Sequence, residues 1–159
     1  MDLIYAPVNL TQDIETCIKF RKDTWNVSYG SVANFSKEET INWFNHLKAE
    51  SPNGFLHVWY NEQIIGQLEF KFIGENTSEV KMGYVYLFYL SPEYRGTGLG
   101  QKIHDYTLEL LANNDCCGAM LRYIPGNATA EKFYIKNGWS KSGNINPKRG
   151  QLMNKYFNE

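Results

Sequence analysis

No apolar run in this sequence approaches the roughly 18 residues that a membrane-spanning helix requires, so no membrane association is expected. The opening residues MDLIYAPVN carry neither the basic start nor the apolar stretch of a secretory signal, and a cytoplasmic protein is the expectation. Charge of one sign is lacking too: 16 basic against 17 acidic residues leave a net charge of −1. Electrostatic capture of nucleic acid usually rests on a basic excess, so no nucleic-acid partner is expected. Cysteine is scarce. Cys17, Cys116 and Cys117 are an odd count without a CxxC, which reads as reduced thiols. The adjacent pair has no neighbouring His to activate a nucleophile and reads as structural. His46, His57 and His104 lie at unrelated spacings without Cys or carboxylate patterns, so no metal is expected.

What is present is a chain of 159 residues, 43% hydrophobic and 15% aromatic, without repeats or low-complexity segments. That is enough to bury one core, and a single domain over residues 1–159 is expected. A short strand over 2–6 leads to a helix from Thr11, on which Ile14, Cys17, Ile18, Arg21 and Trp25 share a stripe. NVSYGSVANF (26–35) then reads as a loop whose Val27, Tyr29, Val32 and Phe35 are either packed down or line a binding groove. Ser36 with Glu39 forms a capping box that starts a second helix, KEETINWFNHLKAE, better read as a cover for a sheet than as a membrane binder. GFLHVWY (54–60) and QIIGQLEFKFI (63–73) form a hairpin about Asn61-Glu62, and GENTSE (74–79) turns into a central strand, MGYVYLFYL. A third helix follows, then a strand over 116–124, a short helix capped by Asn127 and closed by Gly138, and two strands around the turn NINPKR. This order predicts an α/β fold, a mixed sheet with helices on both faces.

The central strand runs into YRGTGLG and then into the third helix. Glycines at 96, 98 and 100 before a helix aim several backbone N–H groups at one place, an anion-binding arrangement. The spacing is G-x-G-x-G, without the G-x-G-x-x-G of a dinucleotide fold or the Gly-Lys-Ser/Thr of a Walker loop. The remaining reading is a loop for a diphosphate, with Arg95 adding a charge-assisted contact. Phe133-Tyr134, taken alone, reads as aromatic core of a short helix.

Arg95-Gly96-Thr97-Gly98-Leu99-Gly100, after Leu90-Ser91-Pro92, resembles the acetyl-CoA loop of the GCN5-related N-acetyltransferase (GNAT) superfamily, of form Gln/Arg-x-x-Gly-x-Gly/Ala. NATAEKFYIKNGW, from Asn127 to Trp139, resembles the second signature of that family, Asn-x-x-Ala-x-x-Phe-Tyr-x-x-x-Gly-Phe, with Trp in the last place. The likeness in element order covers essentially the whole chain. It implies a central, mostly antiparallel sheet of about seven strands flanked by about four helices. It further implies transfer of the acetyl group of acetyl-CoA to a primary amine, small molecule or peptide, by direct transfer in a ternary complex. Amides from Gly96 through Thr97, Gly98, Leu99 and Gly100 to Gln101 would take the pyrophosphate. The backbone of Phe88, Tyr89 and Leu90 would pair with the pantetheine arm, and Asn127 would contact that arm through its side chain. Tyr134 would face the thioester sulfur as general acid to the leaving thiolate, a role its ordinary pKa near 10 suits.

The central strand lacks the Glu that many members use as a base. Glu69, on one face of the preceding strand with Gln67 and Lys71, is the best substitute, ahead of Glu79; a solvated strand-end charge is the alternative for both. That gap also supports a second function, a catalytically silent acyl-CoA-binding or regulatory domain. Tyr29, Phe35, Tyr84 and Tyr86 are the expected walls of an acceptor groove, which would suit an amine with an apolar portion. Lys148-Arg149 reads as a solvated basic turn, or as a contact for an acidic substrate or an adenosine phosphate. The final strands present an edge that two copies can share, so monomer and homodimer both fit.

Overall fold

The computed structural model describes residues 2–74 and 80–157; Glu79 and most of the turn 74–79 lie outside the described residues. Seven strands are ordered β1-β2-β3-β4-β5-β7-β6. They are β1 (Ile4–Pro7), β2 (Phe55–Tyr60), β3 (Gln63–Ile73), β4 (Met82–Leu90), β5 (Gly118–Tyr123), β6 (Ser140–Asn146) and β7 (Gly150–Tyr156). Among the described residues four α-helices accompany them: α1 (Leu10–Tyr29), α2 (Lys37–Glu50), α3 (Leu99–Asn113) and α4 (Ala128–Lys136). Most pairings are antiparallel, whereas β4 and β5 run parallel. The mixed, mostly antiparallel fold expected from the sequence is the fold observed.

The residues group into two compact units. Met1–Phe70 with Leu87–His104 form one, and Lys71–Tyr86 with Asp105–Glu159 form the other. In the first, Val8, Cys17, Ile18, Phe44, Leu47 and Phe55 make a closed core, on which Phe35 packs. Phe20 stacks on Tyr89 at 4.4 Å between ring centres, and Leu87 joins them. The β2–β3 hairpin turns on Asn61 and Glu62, both at positive φ (48° and 63°), as a tight two-residue hairpin requires. Gly66 has no side chain because the Tyr89 carbonyl lies 2.6 Å from where its Cβ would stand. In the second unit β7 lies between β5 and β6, and Leu111 of α3 fills the space above Gly83.

Several boundaries differ from the sequence reading, the first strand among them, which runs over Ile4–Pro7 and includes the proline. Helix α1 continues through Asn26–Tyr29, which had been expected to belong to the loop. The weak helix formers there are carried by Gly30, which takes φ 73° and donates its N–H to the Asn26 carbonyl, and by Trp25 against Tyr29 one turn apart at 4.6 Å. Strand β6 extends to Asn146, because the Asn146 side chain accepts from the amides of Lys148 and Arg149, both at 2.9 Å, and so tightens the turn. Cys116 and Cys117 precede β5 rather than open it.

Candidate functional site

The glycine segment is built as the sequence indicates, with one refinement. Gly96 and Gly98 adopt φ of 76° and 88°, left-handed conformations that disfavour a side chain, whereas Gly100 already lies in the first turn of α3. A Cβ placed at any of the three would meet no atom within 4 Å, so the backbone here is open to close approach. Lys102 N–H donates to the Gly98 carbonyl at 3.3 Å, and the amides before it stand ahead of the helical ladder. Thr97 donates its hydroxyl to the Tyr94 carbonyl and pins the turn.

Arg95 is already engaged. Its Nη2 donates to Asp23 at 2.8 Å, its Nε donates to the Leu90 carbonyl at 2.8 Å, and the guanidinium lies 5.4 Å from the centre of the Tyr89 ring. Tyr89 donates its hydroxyl to the same Asp23 carboxylate at 2.6 Å. Burial and that bond both push the Tyr89 phenol well above its ordinary range, so it holds its proton. Phe88 points instead to the buried His104, 5.7 Å between rings. Nothing in the sequence brings Asp23 to Arg95, 72 residues away, and the contact was missed.

Strand β4 pairs with β5 only at Gly83, Tyr84 and Val85, although it runs on to Leu90. Asn127 caps α4, its Oδ1 accepting from the Ala130 amide at 3.2 Å, which leaves its Nδ2 as the group to offer a ligand. Gly138, at φ 87°, closes the same helix, and the Trp139 amide donates back to the Tyr134 carbonyl at 3.0 Å. Tyr134 is half-buried among Phe133, Tyr123 and Trp139, with ring centres 5.7–6.4 Å away. Burial pushes its phenol up to about 12. The neighbouring Tyr123 donates to Glu131 at 2.8 Å, and Glu131 in turn pairs with Lys141 at 2.5 Å.

Glu69 is neither solvated nor at a strand end in any functional sense: it is 0% exposed. Its Oε1 accepts from Arg21 Nη2 and from Trp43 Nε1 at 2.6 Å, and its Oε2 from Arg21 Nε at 3.3 Å and Gln67 Nε2 at 2.8 Å. Four donors occupy the four lone-pair positions of one carboxylate. The chain of contacts continues inward, with His57 Nε2 donating to Gln67 Oε1 at 2.8 Å and Cys17 Sγ 3.4 Å from the same nitrogen. The register that sets His57 opposite Gln67 and Phe55 opposite Glu69 puts this polar row on the face covered by α1. Gln67 and Glu69 alternating within an apolar strand were the legible signal; their partners on α1 and α2 were not.

Burial sets the acid–base state of this row. Cys17 is pushed up to about 12, chiefly by desolvation and next by the Glu69 charge, and stays an unreactive thiol. His57 is held below its ordinary value by the same desolvation. A histidine that binds its proton more weakly when folded contributes stability above the unfolded pKa, and loses it as pH falls from about 6.5 toward the lowered folded value. The protein is expected to lose melting temperature across that acidic window, and His57→Gln to show a shallower loss. Parallel acid limbs in thermal melts of the two proteins would remove His57 from the account.

Of the expected acceptor walls, Tyr29 and Phe35 belong to the first unit and Tyr84 and Tyr86 to the second. Tyr29 is 49% exposed, and Phe35 packs on the core of the first unit. Tyr84 and Tyr86, in the second unit, lie against one another with ring centres 4.6 Å apart.

The sequence profile of the family described as "Acetyltransferase (GNAT) family" matches residues 16–139. No curated protein sequence matches. Among solved structures, the PaiA N-acetyltransferase from Thermoplasma acidophilum, in complex with coenzyme A, is 20% identical, with TM-score 0.71 over 99% of this chain and 100% of that one. Ard1 from Thermoplasma volcanium is 16% identical, with TM-score 0.77 and both chains covered in full. Arabidopsis thaliana Naa50, in complex with the bisubstrate analogue CoA-Ac-MVNAL, is 18% identical, with TM-score 0.72 over 99% and 100% of the two chains. At these identities the likeness concerns the fold. Among the described residues no helix is long and apolar enough to cross a membrane.

Proposed function

The chain belongs to the GNAT acetyltransferase family, and on that premise we propose that it transfers the acetyl group of acetyl-CoA to a primary amine, as one catalytic domain over residues 1–159. The observation that carries this reading is the turn at Gly96 and Gly98, bent into left-handed backbone and open where side chains would stand, at the start of a 15-residue helix. Backbone amides there, from Gly96 to Gln101, suit a pyrophosphate. The strand beyond Val85, which leaves its ladder with β5, offers backbone groups at Phe88 and Tyr89 for the pantetheine amides. The Leu90 carbonyl accepts from Arg95 and keeps a second lone pair for the same arm. Asn127 offers its Nδ2 to the same arm.

The cofactor supplies a thioester-activated acetyl group; this chain supplies position and protons. Tyr134, kept protonated by burial, gives its proton to the departing thiolate, and the proton shed by the attacking amine nitrogen passes through solvent and restores the phenol. Glu69, saturated by Arg21, Trp43 and Gln67, orients α1 and α2 and does not take the proton of the amine. The amine therefore arrives as free base, and the rate is expected to rise with pH toward the pKa of the acceptor.

At 100 times its dissociation constant, acetyl-CoA should stabilise the protein by about 2.7 kcal/mol, a rise of roughly 5–10 °C in melting temperature. No shift at millimolar cofactor refutes the reading. An amine panel followed by free-thiol release then tests transfer. The occupied state of Glu69 favours one second reading, an acyl-CoA-binding domain without turnover. That reading gains if the shift is present and no amine releases thiol.

A further inference from the structure

One face of the sheet in the second unit carries a set of groups that the transfer chemistry leaves unused. Tyr84 lies beside Met120 in the parallel ladder, and Met120 and Arg122 face Asn154 and Leu152 in the antiparallel one. Tyr86, two residues along, shares the face of Tyr84. All six side chains are half-buried. Within this unit both helices attend to the other face, α3 through Leu111 above Gly83 and α4 through Tyr134 against Tyr123.

Two atoms on this face are anomalous. Arg122 Nε and Asn154 Oδ1 are buried, and among the described residues neither finds a hydrogen-bond partner. Arg122 donates through its Nη1 to the Gly150 carbonyl at 3.3 Å. A buried donor on a cation and a buried acceptor left unmade each carry a desolvation cost, which a ligand presenting the complementary groups relieves. Strands β4, β5, β6 and β7 contribute no Asp or Glu to balance the guanidinium. Arg149, exposed in the β6–β7 turn, adds a second positive charge that is felt at Tyr86.

We infer that this face recognises the carboxylate of the acceptor, so that the substrates are amines bearing a carboxylate and an apolar body: amino acids or short peptides rather than polyamines or simple alkylamines. The inference rests on the transfer reading above and names the acceptor class for it. Arg122 holds the carboxylate through Nε and its remaining amino group in a two-pronged contact. Asn154 Oδ1 accepts an N–H of the same ligand, and the paired rings of Tyr84 and Tyr86 bear its apolar part.

The test compares amines that differ only in the carboxylate: tyrosine with tyramine, phenylalanine with 2-phenylethylamine, leucine with isoamylamine. At saturating acetyl-CoA the member with the carboxylate should show kcat/KM higher by about 10- to 100-fold, as a charged hydrogen-bonded contact provides. Arg122→Gln should bring the ratio near one, and Asn154→Asp, nearly isosteric and folded by circular dichroism, should do the same by repelling the carboxylate. Equal rates across every pair, or a ratio that survives both substitutions, overturns the inference. If no amine releases thiol, the transfer reading fails instead, and the face is then judged by calorimetry with N-acetylphenylalanine. Binding that weakens at least about tenfold in Arg122→Gln sustains it; absence of binding to the unaltered protein ends it.

Discussion

Arg21→Met should cost about 3–5 kcal/mol of folding stability, the penalty for leaving a buried charge without its partner. The residue it strands, Glu69, is fully buried, while the Arg21 side chain retains 23% exposure. That asymmetry predicts an asymmetric pair of variants. Removing arginine leaves the buried Glu69 carboxylate with only Trp43 and Gln67 as donors. Removing the charge on glutamate leaves an arginine that can turn to solvent. Glu69→Gln should therefore cost only about 1–3 kcal/mol, as an unmade polar contact does. The double variant Arg21→Met/Glu69→Gln should recover part of the loss of Arg21→Met, since it no longer buries a charge. Urea denaturation of the four proteins gives the coupling directly. If Arg21→Met unfolds at the same midpoint as the unaltered protein, the ion pair is not holding α1 to β3. Glu69→Gln also carries a kinetic consequence: a carboxylate that only orients should leave the pH profile of kcat in place, whereas a proton acceptor should lose its acidic limb.

How much of this was readable in the sequence depends on the range of the interaction. Caps and turns rest on a few adjacent residues, so Ser36 on the Glu39 amide, Asn127 at α4 and Gly138 behind it were all legible. The glycine spacing was legible for the same reason, because positive φ is a local demand. Period-two alternation placed Val85, Leu87 and Tyr89 in the buried set and Tyr84, Tyr86 and Phe88 in the half-buried one. Contacts closed by folding were not legible. Glu69 meets Arg21 across 48 residues, and Asp23 meets Arg95 across 72. From composition alone a glutamate in a strand is expected to be solvated. Burial here is made tolerable by donors from two helices, Arg21 and Trp43, together with Gln67 of the same strand. The end of α1 failed for a related reason: local propensity argued for a loop at 26–29, and a glycine cap together with a ring contact one turn apart outweighed it.

Tyr134→Phe should lower kcat by about 10²–10⁴, the range for loss of a positioned general acid, while leaving the fold nearly intact. The substitution keeps the ring that packs against Trp139, Tyr123 and Phe133, so stability should change by no more than about 1 kcal/mol. The KM for acetyl-CoA should change little, because the lost interaction forms with charge that develops on sulfur, not with the resting thioester. The phenol, pushed up to about 12 by burial, keeps its proton through the ordinary assay range. A pH profile therefore discriminates. The rise of kcat with pH belongs to the acceptor amine and should persist in Tyr134→Phe at a reduced level. If activity stays within about threefold of the unaltered protein, the thiolate draws its proton from another group and Tyr134 is part of the aromatic packing of α4. If kcat falls and the melting temperature falls with it by many degrees, the loss is one of structure. Only a large kinetic loss on an unchanged melting curve assigns the proton to Tyr134.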